Sequence, residues 1–343
     1  MHALAYLKPW EMSIIDRPEP IATVDEVVID VLATGICGSD SHGYSGENGR
    51  RVSGQVMGHE TVGRVSAGGT IAAGTLVTFN PIISCGVCEF CRAGDTQVCP
   101  DAIVIGVDPS LDGSFAERVV VPARNVVVLS DEMPITHGAL VEPLAVGYHA
   151  VMQGNPSSDD ILLVIGGGPI GQAAAIGARR AGVERVLVSE PNDQRRALLE
   201  DLGFATTTPD AVAEDLTAKF GGKATLVVDA VGLSATLGSA LRTSVTRARI
   251  VLVGMGEPQM TVQPYDLTVG ERSLIGSYCY SEAHFRSTAE WVSQGRPELD
   301  ALIDRLVPLR NGPDAFHDVA KGIGGVNKTL VVSGEALAQI STR

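Results

Sequence analysis

The sequence predicts an α/β protein of two domains. The first is β-rich and built from residues 1–145 together with 277–343; the second, residues 146–276, is a doubly wound parallel sheet. Three observations predict this. Short Val and Ile runs broken by Gly and Pro fill the first 130 residues or so. From about Leu144 apolar strand-like runs alternate with longer amphipathic stretches. A chain of 343 residues, 45% hydrophobic, also exceeds what one ordinary domain needs.

In the first domain the strand candidates are Val27 to Val31, Thr61 to Val65, Leu76 to Phe79 and Val119 to Val121, rich in β-branched residues. In the second they are Ile161 to Ile165, Arg185 to Val188, Thr225 to Asp229, Ile250 to Val253 and Ser273 to Ile275. Helical stretches such as Asp193 to Leu202 and Leu237 to Leu241 separate them, and such alternation makes a parallel sheet. The tail, Val307 to Val332, has short strand runs such as Thr329 to Val332 and no further alternating unit, so a return to the first domain is expected.

Charge narrows the partners. Lys and Arg total 26 against 40 Asp and Glu, a net charge of -14, which repels phosphate backbones and anionic lipid. Neither a nucleic-acid nor a membrane partner is expected. Ile161 to Ala178 is uncharged over eighteen residues, but Gly166, Gly167, Gly168, Pro169 and Gly171 break it into strand, turn and helix. Lys8 and Glu11 interrupt Met1 to Ile15, where no export signal is readable, so a cytoplasmic, reducing compartment is expected.

In such a compartment clustered cysteines favour metal over disulfide. Cys85, Cys88, Cys91 and Cys99 fall within fifteen residues, with Gly86 and Gly94 allowing tight turns. Four thiolates complete a closed zinc tetrahedron, which stabilises structure and does no chemistry; an iron–sulfur cluster is the alternative occupant. A second set lies in Gly35-Ile-Cys37-Gly-Ser39-Asp-Ser-His42 and Gly58-His59-Glu60. A zinc used for chemistry needs three protein ligands and an open position. Cys37 and His59 are the natural pair and Glu142, in Val141-Glu142-Pro143-Leu144-Ala145, the expected third. Glu60 has three options: direct ligation, ligation through water, or support of the ligands.

The second domain opens on Ile161-Leu-Leu-Val-Ile165, then Gly166-Gly-Gly168-Pro169-Ile170-Gly171 and an Ala-rich helix, the context that a dinucleotide turn requires. Gly168 lets backbone approach a pyrophosphate at the helix N-terminus, and Gly171 lets helix and strand pack closely. Nineteen residues after Gly171 stands Glu190, suited to ribose hydroxyls and opposed to a 2′-phosphate by about 4 kcal/mol at an effective dielectric of 20. NAD is therefore the expected cofactor, with Arg195 and Arg196 keeping NADP as the alternative. Val231, Val253 and Gly254, just past or at the ends of later strand runs, complete the expected cofactor set.

Over nearly its whole length the chain resembles the zinc-containing medium-chain dehydrogenase family. Five ordered features carry the resemblance: Gly-Ile-Cys-Gly-Ser-Asp, Gly-His-Glu, the four-cysteine lobe, Glu142-Pro143 and the Gly-rich turn. A glutamate at position 142 is similar to the polyol, threonine and sugar dehydrogenase branch. The resemblance implies a GroES-like catalytic domain, a Rossmann cofactor domain, a substrate cleft between them, two zinc ions per chain and a homodimer or homotetramer, with an edge strand around Ser273 to Ser277 available for pairing. It also implies that Ser39 takes the substrate hydroxyl proton and passes it, through the cofactor ribose, to His42. Cys279 stands where sorbitol dehydrogenases carry an arginine.

The activity expected is NAD-linked oxidation of a secondary hydroxyl of a polyol, sugar or sugar acid to a ketone. Ser39, Tyr44, Glu60, Tyr278 and Tyr280 form the polar set expected near a small polyhydroxylated substrate. Arg50 and Arg51, in the loop Gly46 to Gln55, are a solvated pair or the partners of a substrate carboxylate. Threonine-like amino-alcohol oxidation and a non-catalytic dinucleotide-binding role are the alternatives.

Overall fold

A computed structural model describes residues 1–47, 49–323 and 325–341, with side chains as far as Ala338. Asn48 of the Gly46 to Gln55 loop, and Gly324 and residues 342–343 of the C-terminal part, lie outside the described residues. The chain divides into two compact units, Met1–Glu142 with Ser281–Arg343, and Pro143–Tyr280.

The first unit is organised by the strand Glu26–Gly35, whose sequence EVVIDVLATG is apolar at most positions and buried along most of its length. Along one side it pairs antiparallel with Glu60–Gly68. Along the other, Arg118–Pro122 takes its first half and Lys328–Val332 its last residues. Lys328–Val332 in turn pairs parallel with Ile303–Pro308, so the tail lies in the sheet of the first unit. Register shifts at Val28/Ile29 and Val31/Ala33 bend the strand, as bulges do.

An N-terminal hairpin, His2–Lys8 with Glu11–Asp16, was not legible in the sequence. Its turn carries Pro9 and Trp10, and Trp10 adopts φ 65° where such turns normally use Gly or Asn. The Trp10 amide donates to the Tyr44 carbonyl at 2.8 Å, which holds that turn from outside the hairpin. Ala3, Leu4 and Tyr6 of the hairpin pack with Met57, Phe115 and Phe316 in one buried cluster. Phe316 comes from the helix Gly312–Ala320 and meets Phe115 edge-on at 4.9 Å between ring centroids.

The second unit holds six parallel strands, in the order Ala205–Thr207, Arg185–Ser189, Ile161–Ile165, Ala224–Asp229, Ser244–Leu252, Ser273–Gly276. The chain winds outward from Ile161–Ile165 in one direction, then crosses to its other side, which creates a switch point between that strand and Ala224–Asp229. The α/β fold class read from the sequence holds. The strand predicted at Ile250 to Val253 starts earlier, at Ser244, and ends at Leu252. Its first half, with Arg247 at φ 63° and Arg249, lacks the apolar pattern that marks the second. Gly171 packs directly on the loop before it, since a Cβ there would run into the Gly166 carbonyl. Among the described residues no helix is long and apolar enough to cross a membrane.

Both tryptophans, Trp10 and Trp291, belong to the first unit, so tryptophan fluorescence reads its unfolding alone. Phe316→Ala removes the fully buried ring that joins the helix Gly312–Ala320 to the hairpin and is expected to cost about 3–5 kcal/mol. A urea titration followed by that fluorescence should show a lower midpoint; an unchanged midpoint would contradict the packing described.

Candidate active site

Strand register assembles the central cluster. Gly35 lies opposite Glu60 in one neighbouring strand and opposite Leu330 in the other. Just beyond the strand end, the Ile36 amide donates to the Thr329 carbonyl at 3.0 Å, and the chain turns into the helix Gly38–Ser45 with Cys37 at its N-cap. Cys37, His59 and Glu60 thereby come together, with one potential ligand atom from each within 4.8 Å of the others. A side chain at position 35 would destroy the arrangement, because a Cβ there would run into Glu60 Oε2.

The groups around this cluster are charged and buried. Lys328 Nζ pairs with Glu60 Oε1, while Glu60 Oε2 is buried with no hydrogen-bond partner. Asp40 Oδ2 accepts the Cys37 amide at 3.2 Å. Its Oδ1 faces two cationic groups, His59 Nδ1 at 3.7 Å and Arg51 Nη2 at 3.6 Å. Burial disfavours a charged His59, but Asp40 and Cys37 overcome this and push its pKa up to about 10. Burial pushes the Asp40 carboxyl up, against the pull of His59 and Arg51. Lys328 is held above the ordinary lysine value because Glu60 and Cys37 outweigh its burial.

These charges and donors fit a divalent metal. Cys37, Asp40, Glu60 and Glu142 are four acidic groups around three basic ones, His59, Arg51 and Lys328. A 2+ ion that took the place of the His59 proton would balance the four acids against Arg51 and Lys328, and the unpartnered Glu60 Oε2 offers it an oxygen. Thiolate, imidazole and carboxylate together are a zinc donor set, and three ligands leave a fourth position open.

The other expected residues fall in different places. Glu142 is buried in the first turn of the helix Val141–Gln153, within electrostatic reach of His59 but outside the close cluster. Ser39 and His42 are exposed and three residues apart on the helix Gly38–Ser45, hence on one face; His42 Nδ1 lies 3.0 Å from Glu47. Tyr44 is buried in the hydrophobic cluster and donates its hydroxyl to the Trp10 carbonyl at 2.9 Å. Tyr278 is half-exposed and Tyr280 buried, both in the second unit. Arg51 is not in solvent, nor open to a substrate carboxylate: its guanidinium donates to the carbonyls of Gly106 at 3.1 Å and Val107 at 2.7 Å. Arg50 is exposed. Asp40, Arg51 and Lys328 are the site groups that sequence reasoning missed. Asp40 stood inside the quoted motif, whereas nothing around Lys328 sets it apart from a surface lysine.

The four cysteines Cys85, Cys88, Cys91 and Cys99 also gather, with Sγ atoms within 4.8 Å of one another and no disulfide between them. Cys85 and Cys91 are 3.9 Å apart and Cys88 and Cys91 3.4 Å, close to the roughly 3.8 Å expected between sulfurs of a zinc tetrahedron with bonds near 2.3 Å. Amides of Cys85, Cys88 and Cys91 point at sulfurs of the same group at 3.4–3.5 Å. Hydrogen bonding, led by Ser84, brings the Cys91 thiol down to about 6.

In the second unit Gly168 is the N-cap and Pro169 the first residue of the helix Pro169–Arg180, so the free amides of that first turn, at Ile170 and Gly171, follow the strand Ile161–Ile165 directly. Glu190, buried at the end of the next strand, accepts the Gly167 amide at 2.7 Å and the Asn192 amide at 2.9 Å. Arg195 Nη1 is 3.9 Å from Glu190 Oε2, and Arg196 donates to the Glu190 carbonyl at 2.8 Å. Across the switch point the buried Asp229 accepts the Val231 and Gly232 amides at 2.9 and 3.0 Å, and its carbonyl takes the Val253 and Gly254 amides. Asp229 ties two loops that carry expected cofactor residues, a role hidden in a sequence where it reads as a strand end.

Residues 23–131 match the family of alcohol dehydrogenase GroES-like domains, and residues 169–294 that of zinc-binding dehydrogenases. The 2-dehydro-3-deoxy-L-galactonate 5-dehydrogenase of Pseudoalteromonas atlantica is 32% identical, over 98% of this chain and all of the relative (100%). Among solved structures, a protein described as a short chain alcohol dehydrogenase (rspB) from Escherichia coli CFT073, complexed with NADH, superposes with a TM-score of 0.88 at 29% identity, covering 97% of this chain and 99% of that one. A dehydrogenase from Sinorhizobium meliloti 1021 bound to NADP gives 0.86 at 30% identity, covering 96% and 98%. Aligned along its whole length with such relatives, the chain belongs to the zinc-containing medium-chain dehydrogenase family and is an alcohol dehydrogenase of its polyol-dehydrogenase-like branch.

Proposed function

We propose that this protein oxidises a secondary hydroxyl of a sugar acid or related polyol to a ketone, reversibly, with zinc in the first unit and NAD in the second. The observation that carries the reading is the cluster of half-buried Cys37 with buried His59 and Glu60, an unpaired carboxylate oxygen beside a thiol and an imidazole. The first unit acts as the catalytic domain and the second as the cofactor domain. The name of the Pseudoalteromonas relative supports a sugar acid as the substrate class.

Cys37, His59 and a carboxylate of Glu60 or Glu142 would hold zinc, which would supply a Lewis acid for ionising a substrate hydroxyl near neutral pH, and a nicotinamide cofactor would supply the hydride acceptor. Ser39 takes the hydroxyl proton, and His42, on the same exposed helix face, delivers it to water. Lys328 holds Glu60 by one oxygen and leaves the other for the metal or its water. Tyr44 and Arg51 are committed elsewhere; Ser39 and Glu60 of the first unit are polar candidates for the substrate, and Arg50 for its carboxylate.

Two features favour NAD. Glu190 is anchored by two amides that leave lone pairs for ribose hydroxyls, and its charge opposes a 2′-phosphate. Arg195 and Arg196, both beside Glu190, are the groups placed to offset that repulsion. The exposed edge strand Ser273–Gly276 supports a homodimer or homotetramer through strand pairing. A cytoplasmic setting agrees with the thiol-based metal sites.

Three measurements test the reading. Elemental analysis should find two zinc ions per chain, the Cys37 site yielding its ion to chelator first and Cys37→Ala retaining one. A single zinc per chain, unaffected by Cys37→Ala, would refute the two-site assignment. Turnover efficiency should be higher with NAD than NADP, and Glu190→Ala should narrow the gap, whereas a wild-type preference for NADP overturns the cofactor assignment. On a panel of aldonic acids, polyols, threonine and primary alcohols, NADH formation should favour aldonates by roughly a hundredfold or more, with Arg50→Ala reducing that preference. Best activity on a primary alcohol rejects the substrate class.

A further inference from the structure

We infer that Arg51 is a positioning residue for the metal cluster, acting through Asp40 to fix the imidazole of His59. The inference rests on the reading of Cys37, His59 and Glu60 as a metal site. Three features of the structure support it.

Arg51 is almost wholly enclosed, with its side chain 2% exposed, and one guanidinium reaches two parts of the surroundings of His59. Nη2 faces Asp40 Oδ1 at 3.6 Å, the same oxygen that faces His59 Nδ1 at 3.7 Å. Nη1 holds the carbonyls of Gly106 and Val107, and Gly106 is packed against Gly58, the residue before His59: a Cβ at 106 would run into the Gly58 carbonyl. Arg51 therefore lies between the carboxylate that faces the ring and the backbone turn that supports the ring's own segment. Only a planar fork of donors spans both; a lysine ammonium is a single point.

The fold also makes room for this side chain. Gly43 lies on the helix Gly38–Ser45 that carries Asp40, and a Cβ at 43 would run into Arg51 Nε. Arg51 Nε, Asp40 Oδ1 and His59 Nδ1 are all buried without a hydrogen-bond partner, so the three groups act on one another through charge at 3.6–3.7 Å. Groups that hold metal-ligating histidines in orientation change metal affinity by about 10–100-fold when removed. One step further out, the effect of Arg51 should sit at the low end.

The test counts zinc in the holoenzyme across a chelator titration. Arg51→Met should release the Cys37-site zinc at about tenfold lower chelator, and Arg51→Lys, which keeps the charge and loses the fork, at an intermediate concentration. The four-cysteine zinc should be released as in wild type. In an Asp40→Asn background the Arg51 substitutions should have less than about a twofold further effect, because the route through Asp40 is already cut. Equal losses in both backgrounds, or loss of both zincs together, overturn the inference while leaving the metal site standing. Zinc content unchanged by Cys37→Ala overturns the site and the inference with it. If Arg51→Met does not yield folded protein, the Arg51→Lys pair of measurements carries the same comparison.

Discussion

Pairing of Gly35 with Glu60 on one side and with Leu330 on the other decides where the ionisable groups of the first unit meet. A slip of one residue in either ladder would turn Glu60 or Lys328 to the opposite face and leave a charge without its partner. The register is held by the burial of the strand Glu26–Gly35, by its two bulges and by the tail strand that completes its second side. The absence of a side chain at Gly35 lets the Glu60 carboxylate come close to the strand end.

Such a cluster stands only because its charges compensate one another. Isolated buried carboxylates and ammonium groups cost several kcal/mol each, and removing one partner of a buried pair leaves that cost exposed. Asp40 between His59 and Arg51, and Glu60 against Lys328, form two linked pairs around Cys37. Together with Cys37 and Glu142 the acids outnumber Arg51 and Lys328 by two, so a neutral His59 would leave room for a divalent cation. The four-cysteine group solves a simpler problem, as its backbone amides point at the sulfurs and no other buried charge is involved.

The second unit follows a different rule. There the strand order itself sets the course of the loops, which leave the sheet in opposite directions on the two sides of the switch point. Glu190 and Asp229, at the ends of strands flanking Ile161–Ile165, each hold two amides of these loops. Both carboxylates thus shape the region before any ligand is considered.

The sequence by itself determined the family, the fold class, the Gly-rich turn and the four-cysteine group, and it named Cys37, His59 and Glu60 without deciding that Glu60, and not Glu142, stands beside the other two. All of these are local patterns: cysteines a few residues apart, Gly-His-Glu at a strand start, glycines between a strand and a helix. It concealed the N-terminal hairpin, because Trp10 takes a turn conformation that composition assigns to glycine. It left Arg51 open between solvent and substrate, and assigned no role to Lys328, since each acquires its partner only across the fold, Arg51 from Gly106 and Val107 and Lys328 from Glu60. Tyr44 likewise reads as a pocket residue until the hairpin closes over it. Tertiary structure alone decided which charges are buried together, because long-range register carries no local sequence signature while the desolvation of an ion depends on everything packed around it.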